Sequence, residues 1–284
     1  MTTSRWCQRW QDRQQSWAYA DQSEHFDPRG YSVAPVEDAV AQTFCTMHHY
    51  LRSYPASTRH RFGLFHRGQL LGVAVYGIPP TDKVLTNPLP DLEPYAQSTV
   101  LSRLVLAPTP GNAETWMLGE CRALLLDAGV HAVITFADPA VGHVGIIYQA
   151  FNCIYLGATG ARTTLWLPDG TCLDERTVQK IRGQERGHAA AERRLVSFGA
   201  RPMRAGEKPN LWLRQALADA RVTRRRSLPK HRYAMPLRKD VKVYTRDRAG
   251  RPVRAYRDHT RYPKPDLDLF TALGVPGPDP AVDR

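Results

Sequence analysis

The stretch Arg61-Phe-Gly-Leu-Phe-His-Arg-Gly-Gln-Leu-Leu-Gly-Val-Ala-Val-Tyr-Gly77 reads as an antiparallel hairpin, and the rest of the order follows from it in both directions. Phe62-Gly-Leu-Phe65 and residues 70–76 are apolar runs of strand length, and His66-Arg-Gly-Gln69 between them is a turn containing glycine. Ahead of it, Tyr31-Ser-Val-Ala-Pro-Val36 predicts a short strand. Residues 37–52 set Val40, Phe44, Met47 and Leu51 at helical spacing, so a helix ending in His48-His49-Tyr50 follows, before the breaker Pro55. Behind the hairpin, the proline-rich residues 78–96 predict a loop and residues 100–106 a strand carrying one charge, Arg103. Pro108-Thr-Pro-Gly-Asn112 then turns into a helix over 113–128, with Trp116, Leu118, Cys121 and Leu125 on one stripe. Residues 130–136 have the continuous apolar character of a buried strand. Ala137-Asp138-Pro139 leads to a second helix over 143–151, and residues 159–173 predict a hairpin around Pro168-Asp-Gly170. Helical stretches follow over 183–198 and 211–220. This alternation is a mixed α/β (α+β) order: a central mixed sheet flanked by helices.

Charge divides the chain differently. The 284 residues carry a formal net charge of +12, yet residues 201–264 alone hold 20 Lys/Arg against 5 Asp/Glu. The remainder is close to neutral, so the surplus is local, as a surface that meets phosphates requires. Arg224, Arg225 and Arg226, then Lys230, His231, Arg232 and Tyr233, mix cations with an aromatic ring and are the candidate nucleic-acid-binding residues. Three regions result: a Trp/Gln-rich extension over 1–25, a catalytic domain over 26–220, and a basic Arg/Tyr-rich extension over 221–284. Deleting the last of these is expected to abolish nucleic-acid binding and leave the core folded. Residues 1–25 fit a docking helix or a loose arm, and the polar residues 1–15 contain no secretory leader. No apolar run approaches the roughly 20 residues of a membrane helix, so a membrane or secreted protein is not expected. Five scattered cysteines without a Cys-x-x-Cys pair fit reduced thiols.

The element order is similar to that of the GNAT acyltransferase fold. There, a strand followed by a helix N-terminus holds the pyrophosphate of acyl-coenzyme A, for the electrostatic reason that helix N-termini favour anions. The corresponding loop here is Ala107-Pro-Thr-Pro-Gly-Asn-Ala113, with one glycine in place of the usual glycine-rich run. More specific are Leu101-Ser-Arg-Leu-Val-Leu106, Asn112-Ala-Glu-Thr-Trp116, Thr135-Phe-Ala-Asp-Pro139, Gly142-His-Val-Gly-Ile-Ile-Tyr-Gln-Ala150, Asn152-Cys-Ile-Tyr-Leu-Gly157 and Lys230-His-Arg-Tyr-Ala-Met-Pro236. Together this set resembles the Mom family of phage DNA-modification proteins.

The resemblance implies a phage-encoded, non-virion enzyme acting in the host cytoplasm on double-stranded DNA. It adds a carbamoylmethyl (acetamido-type) group to the exocyclic amine of adenine, which then resists host restriction. It implies a GNAT-like fold, an acyl-coenzyme A or another two-carbon or glycine-derived donor, and a bound iron. By motif it assigns His49, Tyr50, Asp138 and Tyr148 as catalytic and metal-binding residues, with His48 competing for the place of His49. Arg103, Gly111, Asn112 and Thr115 fall to the coenzyme site. The chemistry is compatible with a metal: forming an N–CH2 bond is alkylation-like, and a His, a carboxylate and phenols are a hard N/O set suited to iron.

Plainer roles stand beside these. Asp138 before a proline can cap the next helix, Tyr148 can be core, His143 can be a hydrogen-bonded structural histidine, and Arg103 can pair with Glu114 or Glu120. Cys153 lacks a base partner and is not expected to be a nucleophile. Reaching a base amine in a duplex requires extruding the base, with Tyr76 or Tyr155 as candidate stacking partners. An ordinary GNAT N-acetyltransferase acting on a small-molecule or protein amine is the alternative function. A non-catalytic DNA-binding protein on the same fold is the third.

Overall fold

The structure is a computed structural model; it describes residues 6–11, 14–19, 26–51, 53–107, 109–173 and 175–264, with side chains from residue 26 onwards except Glu175 and Arg176. Residues 265–284 of the basic extension lie outside the described residues, as do the side chains of Trp6, Trp10 and Trp17. The chain forms two compact units: Met1–Thr159 with Lys230–Arg284, called the sheet unit below, and Gly160–Pro229, the inserted unit.

The sheet unit opens with a two-stranded antiparallel ribbon, β1 (Trp6–Gln11) and β2 (Gln14–Tyr19), where sequence suggested a helix or an arm. Then come β3 (Tyr31–Pro35), α1 (Asp38–His48), β4 (Thr58–His66), β5 (Gln69–Gly77), the short α2 (Lys83–Thr86), β6 (Ser98–Leu106), α3 (Ala113–Asp127), β7 (Ala132–Ala137), the short α4 (Ile146–Ala150) and β8 (Ile154–Ala158). The β4–β5 hairpin is as its sequence dictates. Arg67 (φ 49°) and Gly68 (φ 83°) both lie in the left-handed region, which matches the twist of the two strands.

In α1 the buried residues are Ala41, Phe44 and Cys45, while Val40, Met47 and Leu51 are exposed. The helix is therefore rotated from the orientation its largest side chains suggest, because the small Ala41 and Cys45 allow close approach to the sheet. Its core with Val73, Val75 and Val105 is distinct from that formed by α3, whose Met117, Leu118, Cys121 and Leu125 pack with Phe62, Leu64, Ala74 and Tyr76.

One strand was not legible in advance. The charge pattern assigns residues 231–236 to the basic extension, whereas they form β12 (His231–Pro236), an interior strand. The seven-stranded sheet runs β3-β4-β5-β6-β7-β12-β8. β12 pairs antiparallel with both β7 and β8. A chain cut at residue 220 loses this strand, so the expectation that the core survives such a cut does not hold.

Between β8 and β12 the chain makes the inserted unit: β9 (Thr163–Trp166), β10 (Cys172–Leu173), α5 (Glu175–Gly183), α6 (His188–Val196), α7 (Pro209–Asp219) and β11 (Thr223–Arg226). The order β10-β9-β11 makes a small antiparallel sheet. Its own core joins Val178, Ile181, Leu195, Trp212, Leu213 and Ala216 to Leu167 and Leu173 of the hairpin. After β12, β13 (Tyr244–Arg246) and β14 (Pro252–Arg254) form a further antiparallel ribbon of the sheet unit.

Every pairing in the main sheet is antiparallel except β6 with β7. That parallel pairing runs from Ser98↔Ala132 to Leu101↔Thr135 and no further, although β6 continues to Leu106 and β7 to Ala137. The carboxyl ends of the two strands therefore part, and such a crevice is where open α/β sheets place their ligands.

Candidate active site

Five elements deliver side chains to this crevice. Arg103 lies on β6 beyond the last parallel pair, and Asp138 directly follows β7. The β7–β12 register, His231↔Ala137, brings Lys230 opposite Asp138. His49 and Tyr50 follow the C-terminus of α1, and Tyr148 sits on α4.

Asp138 does two jobs at once. One carboxylate oxygen, Oδ1, accepts the Ala140 N–H at 3.1 Å, capping the turn over Pro139–Val141. The other, Oδ2, lies 2.8 Å from Lys230 Nζ, with the Asp138 side chain only 15% exposed and Lys230 43%. The helix-cap role is thus real and coexists with a charge pair. Lys230, assigned from composition to DNA contact, is held here instead.

The His48/His49 ambiguity resolves by burial. His48 is exposed and packs on Phe44 with ring centroids 4.4 Å apart. His49 is partly buried and stacks on Tyr50 at 4.3 Å, and Tyr50 in turn meets His143 edge-on at 5.4 Å. His49 Nδ1 accepts the Leu51 N–H at 3.1 Å, which fixes the neutral ring with its proton on Nε2. Burial, reinforced by the positive charge of Arg103 and by His143 and Lys230, pushes the His49 pKa down to about 3. Tyr50 is displaced the other way, well above the usual phenol range, by burial and by the negative charge of Asp138. Both are therefore neutral hydrogen-bond donors at neutral pH. Burial also lowers the pKa of His143, opposed by Asp138.

Arg103 pairs with neither Glu114 nor Glu120. It donates to the Ser53 carbonyl at 3.1 Å, the Ser53 hydroxyl at 3.2 Å and the Ser102 carbonyl at 2.7 Å. It therefore ties the segment after His49-Tyr50 to β6. Tyr148 is partly buried against the core. Burial pushes its phenol up to about 12; the neighbouring Thr135 hydroxyl opposes this but meets no hydrogen-bond geometry, so burial decides.

Tyr233, a candidate for nucleic-acid contact, has no exposed surface. Its hydroxyl donates to the Val144 carbonyl and accepts from Gln149 Nε2 at 3.0 Å. Gly145 (φ 86°) allows this, since a Cβ there would fall 2.6 Å from the Tyr233 ring. Tyr233 thus fixes the start of α4, and with it Tyr148, whose ring lies 5.6 Å away. Of its neighbours, His231 Nδ1 is 3.0 Å from the Tyr155 hydroxyl, and Arg232 donates to the Leu156 carbonyl at 3.0 Å. Tyr76 is 1% exposed, too deep to stack on an extruded base. Burial raises the Cys153 thiol well above its ordinary range, in keeping with its exclusion as a nucleophile.

The residues do not fit an iron. Among the described residues no group of three or more His, Cys, Asp or Glu side chains is arranged to hold a metal. Of the expected ligands His49, Tyr50, Asp138 and Tyr148, two have their acceptor atoms engaged: the His49 lone pair by Leu51 N–H, and the Asp138 oxygens by Ala140 N–H and Lys230. The loop before α3 suits an anion with a reduced donor set. Pro108 and Pro110 have no N–H, leaving the backbone of Gly111 and Asn112 and the α3 N-terminus. Asn112 is left-handed (φ 75°) and lets Thr115 Oγ1 donate back to its carbonyl at 3.0 Å.

The signals that sequence missed are the place of Lys230 and that of His143. Only strand register reveals the first, and only the Tyr50–His143 ring contact the second.

Comparison with known proteins gives three kinds of result. No curated protein matches. Among solved structures, an N-acetyltransferase from Staphylococcus aureus is similar, with a TM-score of 0.37, 11% identity, and coverage of 73% of this chain and 99% of that one. A GNAT family N-acetyltransferase from Escherichia coli in complex with CoA gives a TM-score of 0.31 and 15% identity over 45% of this chain and 72% of that one. A GNAT family acetyltransferase from Elizabethkingia anophelis with acetyl-CoA bound gives 0.31 and 7% over 73% and 98%. Likenesses this distant transfer neither ligand nor activity. Sequence is more decisive: residues 30–264, which include every element of the crevice, match the Mom protein family, and the chain belongs to it.

Proposed function

We propose that this chain modifies adenine in duplex DNA, adding a carbamoylmethyl (acetamido-type) group to the exocyclic amine and so protecting phage DNA from restriction in the host cytoplasm. The observation that carries this reading is Asp138, a carboxylate fixed by Ala140 N–H and Lys230 Nζ among the neutral donors His49 and Tyr50. An extruded adenine offers an N–H donor at its amine beside an acceptor at its ring nitrogen. Asp138 accepts from the amine, and His49 Nε2–H or the Tyr50 hydroxyl donates to the ring nitrogen. As the N–CH2 bond forms, the amine N–H bond breaks and its proton passes to Asp138, while the leaving group departs from the donor carbon with its electron pair. Gly111, Asn112 and Thr115 at the α3 N-terminus would hold an acyl-coenzyme A; because its thiolate leaves from the carbonyl carbon and would give an amide, the N–CH2 product requires the acyl group, or another two-carbon or glycine-derived donor, to carry the leaving group on its methylene carbon.

Nucleoside mass spectrometry of DNA from cells expressing the protein tests this. A new adenosine derivative is expected with the parent chain and is lost in Asp138→Asn and His49→Ala. Unmodified DNA, together with acetylation of another amine, would instead establish an ordinary GNAT N-acetyltransferase.

A further inference from the structure

The inserted unit has chemistry of its own that the site does not use. Its 70 residues, Gly160–Pro229, contain 15 Lys/Arg and 7 Asp/Glu, so it holds most of the chain's positive surplus. An open groove of about 520 Å³ in this unit is lined by Arg182, Asn210, Leu213, Arg214, Leu217 and Arg224. The three arginines come from three different elements, α5, α7 and β11, and all are exposed. Among the described residues none of the three side chains is hydrogen-bonded or ion-paired. Two other arginines of the unit are spoken for: Arg201 is paired with Glu207, and the Arg225 guanidinium lies over the Trp166 ring at 5.0 Å. Strand alternation explains the last contrast, since Arg224 and Arg225 point to opposite faces of β11.

Three uncommitted guanidinium forks around a floor of Leu213 and Leu217 suit a phosphodiester chain. Each planar fork can take a phosphate oxygen pair, and the leucines can pack on sugar carbons. The geometry points to this groove as a backbone-binding site for duplex DNA, gripping phosphates through Arg182, Arg214 and Arg224 without reading sequence. This rests on the proposed function for its choice of nucleic acid. It also moves the DNA contact from the run 224–233 to a surface of which only Arg224 belongs to that run.

Titrating the full-length protein against a labelled DNA duplex over a range of salt concentrations tests the inference. Each lost phosphate contact lowers the log–log salt slope by about 0.9, so the triple Arg→Ala variant is expected to lose about 2.7, equally on unrelated sequences. The triple Arg→Lys variant should keep most of the slope, and a melting curve like the parent's shows that the unit still folds. An unchanged slope in the alanine variant overturns the inference, as does loss of binding to duplex RNA with DNA binding intact. The two readings fail separately. A groove that passes this test in a protein that never alters adenine removes the proposed function alone; modified adenine with an unchanged slope removes the groove alone.

Discussion

The crevice between β6 and β7 and the groove of the inserted unit treat charge in opposite ways. In the crevice every charge described has a partner: Asp138 has Lys230, and Arg103 has the Ser53 and Ser102 oxygens. In the groove Arg182, Arg214 and Arg224 are exposed and uncommitted among the described residues. Partnered, partly buried groups hold their geometry for chemistry and are little screened by salt, whereas exposed ones act on a mobile, highly charged partner and are strongly screened. On the proposed reading, the contrast separates a place that reacts from a place that holds.

The harshest way to break it is a stop after Ala220. This removes β12 from between β7 and β8, and the sheet unit should not fold at all, as circular dichroism and solubility will show. Next in size, Asp138→Asn should cut formation of the modified nucleoside by about 10²–10⁴-fold, the range for losing a positioned proton acceptor, while leaving the salt slope of DNA binding untouched. A slope that fell with activity would erase the distinction between the two regions. Lys230→Met sharpens it further. Because its ammonium is engaged by Asp138, turnover should fall while the slope again stays put; a slope reduced by about 1 would return Lys230 to the DNA surface.

Tyr233→Phe should cost about 0.5–1.5 kcal/mol, the net worth of a hydrogen bond, because the Val144 carbonyl keeps Gln149 Nε2 and that amide also reaches the Pro263 carbonyl, lowering Tm by roughly 2–4 °C per kcal/mol. The smallest effect expected is in the titration of His49. With its pKa depressed from 6.5 to about 3, the folded protein binds this proton later than the unfolded chain. The stability drawn from the neutral ring is present above pH 6.5 and is lost as pH falls from there towards about 3. In an NMR titration the His49 ring signals should stay flat between about pH 8 and 5, and a midpoint near 6.5 would contradict the burial described.

Sequence carried the fold as far as local pattern reaches. The β4–β5 hairpin, α3 and β7 follow from apolar runs and a turn whose glycine had to be there. α5 did not, because among its described side chains only Val178 and Ile181 reach the core and two positions are too few to show a period. β12 was opaque for another reason. His231 and Arg232 give an interior strand the look of a basic surface, and Arg232 manages this only by sending one guanidinium nitrogen to the Leu156 carbonyl. The same limit holds at the site. His49, Tyr50, Asp138 and Tyr148 were recognisable by motif, but the commitment of Lys230 to Asp138 depends on strands far apart in sequence. The turning of His49's lone pair away from any metal is local by contrast, set by the Leu51 N–H two residues on, but no residue pattern announces it.

The inserted unit leaves and rejoins the main sheet at one spot. Thr159 N–H donates to the Lys230 carbonyl at 2.8 Å, and Lys230 N–H returns a bond to Thr159 Oγ1 at 2.9 Å. Topologically, then, β8 and β12 are the two arms of an ordinary hairpin whose tip has been replaced by a domain. A gene could gain, lose or exchange those 70 residues without rethreading the sheet. The groove lies wholly within this exchangeable piece and the crevice wholly within the sheet unit, so either can change its residues while the other keeps its fold.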